Sequence, residues 1–210
     1  MVRFTYNSNA IEGNRLTLRQ TALVLAEGIA PEGTRANDII EAFNSKDAWE
    51  YVKARHGGLT DKFIRKLQYE VTKNTQMRLQ GKYRDGRVRI SGSGWIPPEA
   101  DKVPVLIKGT LAKYKSEKTA SHPVELASWL HNKFVQIHPF TDGNGRTARF
   151  LMNWILLRNK FPPVVIEVSN KEKYYKMIEE ADKGNEKLFA EFLAEELLKQ
   201  YTSEITPEPK

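Results

Sequence analysis

The chain has 210 residues, with 33 Lys plus Arg against 26 Asp plus Glu and a formal net charge of +7. That length holds one domain with a sizeable core and leaves no room for a second full domain. Without cysteine there is no disulfide framework, thiolate nucleophile or Cys-type zinc site, and the scattered basic residues speak against a nucleic-acid-binding arm. The opening Met1-Val2-Arg3-Phe4-Thr5-Tyr6 is too polar for a signal peptide and no apolar run approaches a membrane span, so no membrane contact and a cytoplasmic location are expected.

In chain order, Ser8-Asn9-Ala10-Ile11-Glu12-Gly13-Asn14 reads as a short helix closed by Gly13, and Thr17 is placed to cap a second helix over Leu18–Glu27. Ile39, Ile40, Phe43, Ala48, Trp49 and Val52 recur at helical spacing between Arg35 and Arg55, which reads as scaffold. Thr60 is placed to cap a helix carrying Phe63, Ile64, Leu67 and Val71. Residues 83–98 differ: Val88 and Ile90 alternate with arginines, Ser and Gly follow, and Pro97-Pro98 closes the stretch. This predicts a short exposed hairpin or flap, with edge groups free to pair with an extended peptide. Helices are expected over Val103–Tyr114, Val124–Ile137, Lys171–Ala181 and Glu186–Tyr201, with Thr202–Lys210 as a frayed polar tail.

The chemistry concentrates in His138-Pro139-Phe140-Thr141-Asp142-Gly143-Asn144-Gly145-Arg146, with Thr147, Ala148 and Arg149 following. Gly143 and Gly145 can take positive φ and let backbone N–H groups close on an anion, at the positive end of a helix expected to start near Gly145. Arg146 and Arg149 share a helix face and can both reach phosphates. Asp142 offers the hard oxygens that suit Mg²⁺, and His138 has the ordinary pKa of about 6.5 that lets a neutral imidazole take a proton from a hydroxyl. Singly, His138 fits a hydrogen-bonded loop residue, Asp142 a turn residue and Arg149 a solvated charge. Together, before a helix start, they read as a polyphosphate site.

These residues resemble the HPFxxGNGRxxR signature of the Fic (filamentation induced by cAMP) family at every specified position. The resemblance extends from about Ser8 to about Leu198. It implies an all-α, Fic-type helical bundle with a small β-hairpin flap over the active site. Residues 1–30 would form an N-terminal inhibitory region, 31–200 the Fic core with its C-terminal helices, and 201–210 the polar tail. The family's usual activity is protein adenylyltransfer (AMPylation), a nucleotidyltransferase reaction that moves AMP from ATP to a Ser, Thr or Tyr hydroxyl of a target protein and releases pyrophosphate. By resemblance, His138 is the base and Asp142 holds Mg²⁺ between the α- and β-phosphates. Gly143, Asn144 and Gly145 form the anion nest, and Arg146 grips the γ-phosphate with Thr147 and Arg149 beside it. Tyr174-Tyr175 is similar to the family's tandem tyrosine near the adenine pocket, although Asp182 stands near the place of an asparagine often found there. Ser93, Gly94 and Trp95 match the flap loosely and are counted with the nucleotide-binding residues.

Ser8-Asn9-Ala10-Ile11-Glu12-Gly13 is similar to the family's inhibitory motif, [S/T]xxxE[G/N], in the class that carries it at the N-terminus. The expectation is an enzyme autoinhibited by a Glu12 carboxylate paired with Arg146, the guanidinium that the γ-phosphate needs. Two alternatives stand beside it: removal of AMP from a modified protein at the same site, and a non-catalytic adaptor that binds nucleotide or peptide. The implied partner is a target protein docked along the flap, with self-modification and a homodimer left open.

Overall fold

The computed structural model describes residues 1–75, 79–90 and 93–205, and of residues 203–205 the backbone alone. Its described residues form nine α-helices: α1 (Val2–Ile11), α2 (Leu18–Glu27), α3 (Ala36–Ala54), α4 (Asp61–Thr72), α5 (Val103–Glu117), α6 (Pro123–Ile137), α7 (Asn144–Arg158), α8 (Lys171–Asp182) and α9 (Glu186–Ile205). Single 3₁₀ turns precede α5 and α8. No helix among the described residues is long and apolar enough to cross a membrane.

Local chemistry accounts for several boundaries. Thr17 starts α2 with a reciprocal capping box, its hydroxyl accepting from Gln20 N at 3.1 Å while Gln20 Oε1 accepts from Thr17 N at 2.9 Å. Thr60 caps α4 through Phe63 N at 3.1 Å. Pro123 opens α6 at a position where its missing N–H costs nothing.

The pattern of α7 decides where the site sits. Every residue from Arg146 to Leu156 is buried, which makes α7 the central helix, yet its first turns are polar (Asn144, Arg146, Thr147, Arg149) and only later ones apolar. Around its apolar part, the Phe4 ring packs tilted against Trp49 and Phe150, with centroids 5.0 Å and 4.9 Å away, and Phe63 lies 5.2 Å from Trp154. Phe4 and Ile11 thereby join α1 to the core shared by α3, α4, α6 and α7.

Three expectations change. The helix expected to begin at Ser8 begins at Val2, because its buried residues Thr5, Asn7, Ser8 and Asn9 are polar and hide the apolar period. The polar tail is helical through Ile205, and 206–210 lie outside the described residues. The β-hairpin flap is absent: no strand occurs among the described residues, and the described parts of 83–98 are irregular. Pro97 and Pro98 carry no N–H for a ladder, and Arg84 gathers the carbonyls of Gly86 and Pro98 with its side chain. Ser91 and Gly92, at the expected turn, are not among the described residues.

Candidate active site

The loop between α6 and α7 is held by its own amide and glycine. Asn144 Oδ1 accepts from Phe140 N at 3.0 Å and its Nδ2 donates to Phe140 O at 2.8 Å, so this side chain closes the loop from within. Gln68 of α4 donates to Asp142 O at 3.0 Å. Gly143 caps α7 with φ +74°, and a Cβ there would stand 2.6 Å from Thr72 Cγ2, which makes glycine a requirement of both backbone and space. Gly145 lies inside the helix and is not in the left-handed region, which corrects the expectation for it. What it provides is room: any Cβ at Gly145 would collide with the carboxylate of Glu12.

His138 ends α6 in the left-handed conformation, φ 48° and ψ 60°. Its Nδ1 is 3.3 Å from Val135 O, an acceptor, which assigns the proton to Nδ1 and leaves the Nε2 lone pair free. Burial pushes its pKa below 6.5, the Val135 carbonyl opposing and Arg84 adding to the shift, so the ring is neutral at pH 7.

The two arginines have separate acids. Arg149, 1% exposed, donates from Nη2 to Glu12 Oε1 at 2.7 Å and to Ser8 O at 2.8 Å, from Nε to Ser8 Oγ at 3.0 Å, and from Nη1 to the Tyr174 hydroxyl at 3.2 Å. Arg146, 3% exposed, forms an ion pair with Glu41 of α3 at 2.9 Å and stands 3.4 Å from Asp142 Oδ2. The expected Glu12–Arg146 pair is therefore corrected to Glu12–Arg149. The register of α1 puts Ser8 and Glu12, one turn apart, on Arg149, while α3 supplies Arg146 with Glu41. Burial works to raise the Glu12 pKa, but Arg149 and then Arg146 outweigh it and hold the carboxyl below its ordinary value of 4.5. A charged carboxylate thus lies against the first turn of α7, where unpaired N–H groups and the helix dipole favour an anion. Gly13, φ +97°, turns the chain away directly afterwards.

The tyrosine pair divides. Tyr174 is fully buried, its hydroxyl accepting from Arg149 and donating to His131 Nε2 at 2.8 Å. Burial drives the His131 pKa to about 3, so that ring is neutral and accepts. Tyr174 supports Arg149 from behind and is 0% exposed. Tyr175 is half-buried, its hydroxyl 3.5 Å from Ile11 O and its pKa pushed up to about 12 by burial. It lines a narrow cavity with Ile90, Ser93, Trp95, Gln136 and Asp182. Gln136 Nε2 donates to Asp182 at 3.0 Å, and Gly94 is exposed beside them. Thr147 is buried in the first turn of α7, its Oγ1 without a hydrogen-bond partner among the described residues.

Residues 58–156 match the sequence profile of the Fic/DOC family. The Protein adenylyltransferase Fic of Drosophila persimilis is 34% identical over 194 residues, covering 90% of this chain and 38% of its own length. A Fic domain containing signaling protein from Bacteroides thetaiotaomicron superposes with TM-score 0.89 at 28% identity, covering 96% of this chain and 84% of its own. The chain carries a Fic/DOC family domain over residues 58–156. Fic-1 from C. elegans gives TM-score 0.88 at 27% identity, covering 97% of this Fic chain and 63% of its own. The chain spans well under half of the curated relative it matches.

Three contributors to this Fic site escaped the sequence reading. Glu41 was hidden in the scaffold helix, although the buried polar residues Asp38, Asn44 and Ser45 on α3 mark that side as more than scaffold. Asn14 donates to Glu41 Oε2 at 2.8 Å and to Asp38 O at 3.0 Å, tying the end of α1 to α3. Arg84 had no distinguishing signal within an arginine-rich stretch. Among the described residues no cluster of three His, Cys, Asp or Glu forms a metal cage. The exposed Asp142 carboxylate beside the anion cradle does fit Mg²⁺, which commonly uses one or two carboxylates with phosphate oxygens completing its shell.

Proposed function

We propose that this chain is a protein adenylyltransferase held at low activity by its own α1. The observation that carries the reading is the Glu12 carboxylate, paired with Arg149 and resting on Gly145, in the place that helix geometry prepares for an anion. With ATP in that place, the α7 N-terminus, Arg146 and Arg149 bind the polyphosphate, and Asp142 would hold Mg²⁺, which would supply charge neutralisation at the phosphates. The hydroxyl oxygen of a target Ser, Thr or Tyr attacks the α-phosphorus while His138 Nε2 takes its proton. The bond from the α-phosphorus to the bridging oxygen breaks, and pyrophosphate leaves with the electron pair. Such general-base assistance is typically worth about 10²–10⁴ in rate, with alignment and charge neutralisation supplying more. While Glu12 holds Arg149, the γ-phosphate lacks one guanidinium and meets a like charge, so ATP binds weakly or out of line.

The name of the Drosophila persimilis relative and the intact His138–Arg149 motif support the activity. Labelled AMP incorporation into a cytosolic lysate tests it. Glu12→Gly should label protein well above wild type, and adding His138→Ala should remove the label without loss of ATP binding. Equal labelling by wild type and Glu12→Gly would contradict the autoinhibition, and persistent labelling by the double variant would contradict the base.

A further inference from the structure

Four successive carbonyls surround the imidazole-bearing residue, and all accept hydrogen bonds from residues 84–95. Gln136 O accepts from Trp95 Nε1 at 3.0 Å, Ile137 O from Arg84 Nη2 at 3.4 Å, His138 O from Arg84 Nε at 2.8 Å, and Pro139 O from Arg84 N at 3.0 Å. The same guanidinium donates to Gly86 O at 2.9 Å and to Pro98 O, which stand on either side of Ser93 and Trp95 in the chain. Arg84 is buried, and these partners are neutral main-chain oxygens. The last carbonyls of a helix lack intrahelical donors, and His138, in the left-handed conformation, carries the chain out of α6. A planar fork with five donors can hold several converging carbonyls at once, and its charge sits at the end of α6 that favours a cation.

We infer that Arg84 is a positioning residue: its guanidinium ties Ile137 O and His138 O to Gly86 O and Pro98 O, and its own N–H holds Pro139 O, so that the base keeps one register with Gly86 and Pro98. Its hydrogen bonds go to the His138 backbone, and its charge acts on the ring. A protein substrate that settles on 86–98 would therefore meet an imidazole whose place is set by the same guanidinium. This rests on the adenylyltransferase reading for its consequence in rate, and on the hydrogen bonds alone for its consequence at the ring.

The groups that act on the His138 ring are Arg84, Glu12 of α1, Asp142 of its own loop and the Val135 carbonyl of α6. Of these, Arg84 and burial favour the neutral ring, while Glu12, Asp142 and the carbonyl favour the charged one. Removing the guanidinium therefore raises the pH at which His138 titrates. In a Glu12→Gly parent, Arg84→Met is expected to cut AMP transfer at saturating ATP by roughly a hundredfold, the scale of an ångström of misplacement, with the Kd for ATP within threefold of the parent. Its His138 resonance, followed by NMR, should titrate at higher pH. Arg84→Lys, which keeps the charge but has one donor nitrogen, should lose roughly tenfold in transfer and titrate near the parent; it also decides the matter if Arg84→Met does not fold. Transfer within threefold of the parent in both variants, or a loss matched by an equal loss of ATP affinity, would overturn the inference. If the Glu12→Gly parent labels nothing, the adenylyltransferase reading fails, and the backbone judges Arg84: unchanged amide chemical shifts at Ile137, His138 and Phe140 in Arg84→Met overturn it.

Discussion

Arg146 and Arg149 stand one turn apart on α7 and are buried alike, yet the chain neutralises them from different sides. Arg149 spends its donors on α1, through Ser8 and Glu12, and on Tyr174. Arg146 answers to α3 through Glu41, with Asp142 of the loop further off. The difference locates the control. Withdrawing α1 strips Arg149 of its acid, whereas Arg146 keeps Glu41 on a helix packed into the core. Asn14 joins the two arrangements, because it bonds Glu41 from just beyond the end of α1.

The largest effect expected from breaking this contrast is on stability. Arg149→Met leaves Glu12, Ser8 and Tyr174 without their donor; because the Glu12 side chain is 33% exposed and can be hydrated, the cost is about 3 kcal/mol, the low end for a broken buried pair. Urea unfolding should show a loss on that scale, and a change under about 1 kcal/mol would mean that α1 does not depend on Arg149. Next comes Gly143→Ala, where strained backbone and the close approach to Thr72 should cost about 1–3 kcal/mol by the same measurement. Smaller still, Glu41→Gln should tighten ATP by roughly threefold, because Arg146 loses a charge partner but keeps its place. Affinity that rises as far as in Glu12→Gly would erase the distinction between the two arginines.

The smallest effect is a null one in pH. The Glu12 carboxyl has a folded-state pKa held below 4.5, so its ion pair is fully present above the unfolded value and is lost only as pH falls through the lowered one. Inhibition should therefore be flat from pH 6 to 8, and relief of inhibition within that window would show that another group titrates.

Much of this was legible because it lives in contiguous residues. Asp142-Gly143-Asn144-Gly145-Arg146 announces a helix start that faces an anion, and Thr17 and Thr60 carry local signals that the folded chain obeys. What stayed hidden depends on register between distant elements. Whether Glu12 would meet Arg146 or Arg149 turns on how α1 lies across α7, and nothing in either stretch states that. The pull of Glu41 on Arg146 decides it as much as Glu12 does. The 83–98 segment misled for a related reason: Val88 and Ile90 alternate like a strand, but the carbonyls that a ladder would use go instead to a side chain, Arg84. Asn144 was assigned to the anion nest by resemblance, and its side-chain amide holds the loop closed.

The central claim is that Glu12 occupies the place of a phosphate. Calorimetric titration of wild type and Glu12→Gly with ATP and Mg²⁺ tests it without any need for turnover. Losing one charge-assisted competitor is worth about 1.5–3 kcal/mol, so Glu12→Gly should bind ATP roughly tenfold to a hundredfold more tightly. Equal affinities in the two proteins would contradict the account.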